Sequence, residues 1–140
     1  MSKPTYTLHH VALSVSNLEK SIAFYDMFGF KRVGGWKSED GSFEIANLRN
    51  GATMLELFCY RDQQALPEHS QDLWHDLPVV GTKHFGLSVE SIDAAKDALQ
   101  ASGLEILHKD INKDRSGANY FFVRDPDGIL VEIIEDNRGY

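Results

Sequence analysis

The chain has 140 residues, 42% hydrophobic and 25% charged, with a formal net charge of -7; this is enough apolar material for one compact domain with a real core. The negative balance argues against nucleic acid or an anionic membrane as partner, since both select Lys/Arg-rich surfaces, and no run approaches the roughly 20 apolar residues of a membrane span. The lone cysteine, Cys59, has no internal disulfide partner, and Met1-Ser2-Lys3-Pro4-Thr5 leads into a polar strand rather than a signal segment, so the cytoplasm is the expected compartment and a small molecule the expected ligand.

In chain order, residues 8–15 alternate as a strand. Ser16-x-x-Glu19 has the capping-box form and opens a helix whose apolar positions Leu18, Ile22 and Tyr25 fall at i, i+4 and i+7, with Gly29 ending it. A strand should follow the helix, and Asn50-Gly51 then joins residues 43–48 to 53–59 as a hairpin. Residues 61–81 lose periodicity, carry Pro67 and Pro78, and read as a connection. Residues 84–89 form the next strand; Ser91 is the N-cap of a helix with the inner stripe Ile92, Ala95 and Leu99, closed by Gly103. Asp125-Pro-Asp-Gly128 finally joins strands at 120–123 and 129–134.

The chain repeats itself. His10-Val-Ala-Leu-Ser-Val15 matches His84-Phe-Gly-Leu-Ser-Val89 at an offset of 74 residues, and Leu55-Glu56-Leu57 matches Val131-Glu132-Ile133 at an offset of 76. Each half opens on a histidine strand, closes on a glutamate strand and reads β-α-β-β-β. The expected organisation is a single α+β domain over 1–140: module 1 at about 7–60, the connection at 61–81, module 2 at about 82–135.

Strand alternation puts His10 with Ala12 and Ser14, opposite Val11, Leu13 and Val15, which point to the helix-covered core. By the same rule His84 lies with Gly86 and Ser88, Glu56 with Met54 and Phe58, and Glu132 with Leu130 and Ile134. A lone strand histidine is usually structural or solvated; two His–Glu pairs at equivalent repeat positions are much harder to attribute to chance. Two imidazoles and two carboxylates balance the charge of one divalent ion such as zinc, nickel, cobalt, manganese or iron. An ion preferring five or six ligands keeps positions for water or substrate oxygens. His10, Glu56, His84 and Glu132 are therefore the expected metal ligands.

These residues carry a resemblance. The paired openings, the closing Leu55-Glu56-Leu57-Phe58 and Asp125-Pro-Asp-Gly-Ile-Leu-Val-Glu132, and the βαβββ repeat resemble the vicinal oxygen chelate (glyoxalase/bleomycin resistance/dioxygenase) superfamily over about 7–135. The ligand order His, Glu, His, Glu is similar to that of the glyoxalase I group. The resemblance implies two modules pairing into a curved, open, barrel-like sheet with a metal site in the cleft, and a homodimer. It also implies a metal-dependent lyase or isomerase that binds vicinal oxygens of a small α-hydroxycarbonyl substrate and transfers a proton through an enediolate-like intermediate, with Glu132 or Glu56 as the base. Where glutathione-using members carry arginine and asparagine four residues beyond the first and second ligands, this chain has Ser14 and Tyr60, so the expected glutathione grip is missing. The alternatives are a ferrous-iron dioxygenase, which uses a His, His, Glu set, and a non-catalytic small-molecule-binding or resistance protein.

Other residues are weaker candidates. Cys59, on the face opposite Glu56, is expected to be a buried thiol rather than a nucleophile. His9 should face away from His10. His69, Trp74 and His75 fall in the connection, where a lid or interface role competes with plain surface. Arg49, Arg61, Lys113 and Arg115 are candidate anion grips, although such residues are usually solvated. Trp36, Tyr60, Tyr120 and Phe122 are pocket candidates, with core packing the commoner role for strand aromatics.

Overall fold

The computed structural model describes residues 1–113 and 115–140. The chain divides into two compact units, Met1–Ala65 and Leu66–Tyr140. In the first unit, β1 (His10–Ser14), α1 (Leu18–Asp26), β2 (Lys31–Lys37), β3 (Phe43–Asn50) and β4 (Thr53–Tyr60) follow one another. The sheet order is β1-β4-β3-β2, with β1 parallel to β4 and the other pairs antiparallel. Apolar alternation decides which face is covered: Leu13, Ala46, Leu48, Leu55 and Leu57 are buried together with Leu18, Phe24 and Tyr25 of α1. His10, Ala12 and Ser14 on the opposite face of β1 remain exposed.

The cap of α1 is Asn17, not Ser16. Its side chain accepts the Lys20 amide at 3.0 Å from an extended backbone (φ -142°, ψ 106°), the conformation a capping residue needs before the helix begins. The hairpin loop likewise lies one residue later than Asn50-Gly51 suggested. Asn50 pairs with Thr53, leaving Gly51-Ala52 as the two-residue turn, with positive φ at Gly51 (57°) and not at Ala52, the type II′ pattern. Asn50 serves instead through its side chain, which donates to the Phe28 carbonyl at 2.9 Å and ties the end of β3 to the chain leaving α1.

The second unit contains a 3-10 turn (Glu68–Gln71), α2 (Leu73–Asp76), β5 (Phe85–Ser88), α3 (Ile92–Ala101), β6 (Asn112–Lys113), β7 (Ala118–Arg124) and β8 (Leu130–Asp136). Its sheet order, β5-β8-β7-β6, repeats that of the first unit, again with the opening strand parallel to the closing one. Ser91 caps α3 through the Ala94 amide, and α3 lies against β8. Ile92, Leu99, Phe121, Val123, Val131 and Ile133 are buried. Between β7 and β8 the Asp125 carboxylate accepts the Asp127 and Ile129 amides, both at 2.9 Å, closing the Asp-Pro-Asp-Gly loop as an Asx-type turn.

Part of the stretch read as a connection is folded. Asp72 caps α2 by accepting the His75 amide at 3.0 Å, and Leu73 joins Phe122 and Leu130 in a buried cluster flanked by Leu107 and Tyr120. Packing against the sheet holds these four residues helical, because so short a segment has no helical stability of its own. Among the described residues no helix is long and apolar enough to cross a membrane.

Candidate functional site

In the first unit the register sets Ala12 opposite Glu56 and His10 opposite Met54, so His10 and Glu56 lie diagonally on the face away from α1. His10 Nε2 stands 4.0 Å from Glu56 Oε1, with the two side chains 42% and 30% exposed. That separation is too long for a hydrogen bond. The other nitrogen, Nδ1, is 2.9 Å from His9 Nδ1, and the two rings meet edge to face at 5.1 Å. His9 therefore does not point away from His10. It precedes the first residue of β1, so strand alternation does not govern its direction.

In the second unit His84 stands one position before β5 and its Nε2 lies 3.0 Å from Glu132 Oε2. The ring packs edge-on against Phe122 at 5.0 Å, and its buried Nδ1 has no hydrogen-bond partner among the described residues. Gly86 sits opposite Glu132, and a Cβ at Gly86 would stand 3.7 Å from Glu132 Oε2. That is ordinary van der Waals contact, so a methyl group at position 86 would fit beside the carboxylate. The second pair is less exposed than the first, at 26% for His84 and 17% for Glu132.

The His84–Glu132 pair opens into a pocket of about 340 Å³ contained within this unit. One wall is Leu73 and Trp74 of α2 with Leu77 just beyond; the sheet contributes Ala118, Tyr120, Phe122 and Ile134, and Arg138 stands at the margin. Tyr120 and Phe122 are thus pocket residues, and Phe122 also packs in the buried cluster. Arg138 holds Asp136 with two bonds, Nε–Oδ1 at 2.8 Å and Nη2–Oδ2 at 2.9 Å. These bonds pull the Asp136 carboxyl down to about 2.

Sequence reasoning singled out neither Arg138 nor the hub beneath α2. Asp76 is 4% exposed and gathers His69 Nδ1 at 2.9 Å, Ser70 Oγ at 3.0 Å and Lys83 Nζ at 3.3 Å. Burial raises the pKa of its carboxyl, but the bonds from His69, Ser70 and Lys83 outweigh that and leave it below 3.8. Lys83 also donates to the Asp76 carbonyl at 2.9 Å, which fastens the residue preceding His84 to the end of α2. His69 is thus a structural partner, while His75 is exposed beside Asp72.

Cys59 is half-buried rather than buried, because it lies beyond the covered stretch that ends at Leu57 and pairs with Glu44 near the sheet's open end. Trp36 and Tyr60 are 55% and 46% exposed, linked through Phe43, which stacks on Tyr60 at 4.7 Å and meets Trp36 at 5.1 Å. Arg61 donates to the Asp40 carbonyl and Arg49 to the Met54 sulfur, while Lys113 and Arg115 are exposed.

The donors suit a divalent ion by their chemistry: each unit directs a ring nitrogen and a carboxylate oxygen at one another. Cis ligands at about 2.0–2.2 Å from an ion have donor atoms about 3 Å apart, the separation of the second pair. The more exposed first pair, at 4.0 Å, stands wider than that. Among the described residues no three His, Cys, Asp or Glu side chains gather as an ion-binding group; the donors come as these two pairs.

Residues 7–133 match the family described as Glyoxalase/Bleomycin resistance protein/Dioxygenase superfamily. The uncharacterized protein YwkD of Bacillus subtilis is 31% identical over 135 residues, covering 92% of this chain and 96% of that protein. The lactoylglutathione lyase of Schizosaccharomyces pombe is 24% identical over 151 residues, covering 96% of this chain; the match spans only 49% of that enzyme. Among solved structures, a glyoxalase family protein from Enterococcus faecalis superposes with a TM-score of 0.76 at 25% identity, over 92% of this chain and 97% of that one.

Proposed function

Because this chain belongs to the Glyoxalase/Bleomycin resistance protein/Dioxygenase superfamily, we propose that it is a divalent-metal-dependent lyase or isomerase of the glyoxalase I type acting on a small α-hydroxycarbonyl compound. The observation that carries the reading is the recurrence, in both units, of a histidine Nε2 facing a glutamate carboxylate on the sheet face the helix leaves open. In this reading His10, Glu56, His84 and Glu132 hold the ion, the two pairs coming from one chain or from two copies in a homodimer. A bound divalent ion supplies Lewis acidity, which acidifies the proton on the carbon beside a carbonyl.

The chain's own part is proton transfer. Glu132 Oε2 takes the proton from one carbon and returns it to the neighbouring one, and Glu56 is the less favoured base. Burial supports that assignment. Glu132 is 17% exposed and Glu56 30%, and Glu132 lines the pocket, where a substrate carbon can be brought against its carboxylate. A lactoylglutathione lyase among the relatives is in keeping with this chemistry. Ser14 and Tyr60 stand where glutathione-using members carry arginine and asparagine, which argues against a glutathione adduct as the substrate.

The test is metal analysis of the purified protein followed by NMR of solvent-deuterium exchange at the substrate carbon. Glu132→Gln is expected to lower exchange by about a hundredfold or more, and Glu56→Gln to lower it less while weakening metal binding. Unchanged exchange in both variants refutes the mechanism. Iron content with oxygen uptake in place of exchange assigns the chain to the dioxygenase branch instead.

A further inference from the structure

We infer that the pocket of the second unit receives an uncharged, apolar, ring-sized substituent of the substrate, seated between Trp74 and Leu77 on one side and Tyr120 and Phe122 on the other. The inference deepens the function proposed above by naming the kind of molecule that site accepts. Its first ground is the arrangement of the walls. The polar pair His84–Glu132 lies at one place, and apart from Arg138 the rest of the lining is leucines, aromatic rings, Ala118 and Ile134. Oxygens of a ligand that meet His84 and Glu132 leave the rest of the molecule against hydrocarbon.

The second ground is charge. Arg138 is a cation of the pocket lining, and its Nε and Nη2 both donate to Asp136. An anionic substituent would have to compete with that carboxylate for Arg138, approach Glu132 as well, and lose its hydration against apolar walls, each of which opposes binding. An uncharged ring avoids all of these costs and gains from burial. The third ground is size: about 340 Å³ is near the lower end of small-molecule sites, which run from roughly 300 to 1,000 Å³, and a single ring with a short polar head suits it.

Trp74 and Leu77 make the inference directly testable, being 63% and 44% exposed at the pocket's outer wall. Protein labelled with nitrogen-15 in its indoles shows two resonances, from Trp36 and Trp74. Without added metal it is titrated with 2-hydroxyacetophenone, with the para-carboxylate derivative of that compound, and with dihydroxyacetone, which has no ring. The phenyl compound is expected to shift the Trp74 resonance saturably and leave Trp36 unmoved, with the other two binding about tenfold more weakly or worse. In Leu77→Lys, which alters an exposed side chain and leaves the core intact, the preference should reverse in favour of the carboxylate derivative. Equal or tighter binding of the carboxylate derivative to the wild type, a Trp74 resonance unmoved by all three compounds, or an unaltered order in Leu77→Lys overturns the inference. A metal-loaded, exchange-active protein with no phenyl preference sinks this inference alone. Phenyl preference in a protein that neither binds metal nor exchanges the proton supports the pocket and sinks the proposed reaction.

Discussion

Replacing Leu73 with alanine asks whether α2 is clamped to the second sheet or merely rests on it. Leu73 is 8% exposed and packs with Phe122 and Leu130. The substitution removes three carbons, which at about 0.8 kcal/mol each give roughly 2 kcal/mol of lost burial, with a cavity contribution on top where the site cannot collapse. A helix of four residues at the surface can settle inward, so the cavity contribution is small and the expected loss is about 2–3 kcal/mol. Urea denaturation reads this as a lower midpoint at unchanged slope. Native-state hydrogen exchange adds a local readout: the Asp76 and Leu77 amides, which donate to Asp72 and Leu73 carbonyls at 3.0 Å, should lose protection beyond the global change. A loss under about 0.5 kcal/mol with unchanged protection of both amides would refute the packing argument, and the apolar wall of the pocket with it.

Ser21 is fully buried in α1 and its hydroxyl has no hydrogen-bond partner among the described residues, so Ser21→Ala is expected to raise stability by about 1 kcal/mol in the same urea assay. The pH dependence of stability should carry the mark of Asp76. Its folded pKa lies below the ordinary aspartate value, so the stability it contributes is fully present above that ordinary value and is lost as pH falls through the folded one. Asp76→Asn should flatten that acid limb of the thermal midpoint, whereas a limb as steep as the wild type's counts against the hub. His10 Nδ1 has a partner in His9 and His84 Nδ1 has none. Since an outer-shell partner fixes which imidazole nitrogen is left to bind, His9→Phe should weaken cobalt binding about tenfold in a chelator competition, with His9→Asn restoring part of it. Equal affinity in both variants removes His9 from the site.

The halves were legible because hydrophobic alternation is a local signal. Leu13, Leu55 and Leu57 against Ala12, Met54 and Glu56 tell which face is covered before any tertiary contact is known, and the observed burial follows that division. What escaped was held by distant contacts. Lys31 to Lys37 shows no alternation because both of its faces are exposed, and α2 is too short for any helical period and depends on Phe122 and Leu130. The cap fell on Asn17 rather than Ser16 because both side chains can cap and the backbone angles choose between them. The pairing of each histidine with its glutamate could be anticipated from the repeat. That His10 Nδ1 meets His9 while His84 Nδ1 is buried with no partner among the described residues could not, since one depends on a residue outside the strand and the other on burial of a single ring nitrogen.

The outer strand β2 bears on how the protein behaves at high concentration. All seven of its residues are exposed, and its pairing slips between Arg32 and Gly34. Lys31 pairs with Asp26, while Arg32 and Lys37 both reach Glu44. A neighbouring molecule seeking to extend the sheet there would meet a kinked ladder bristling with cations, a poor template for lateral growth. Neutralising those basic side chains is expected to favour edge-to-edge association of copies along β2, read as light scattering that rises with concentration.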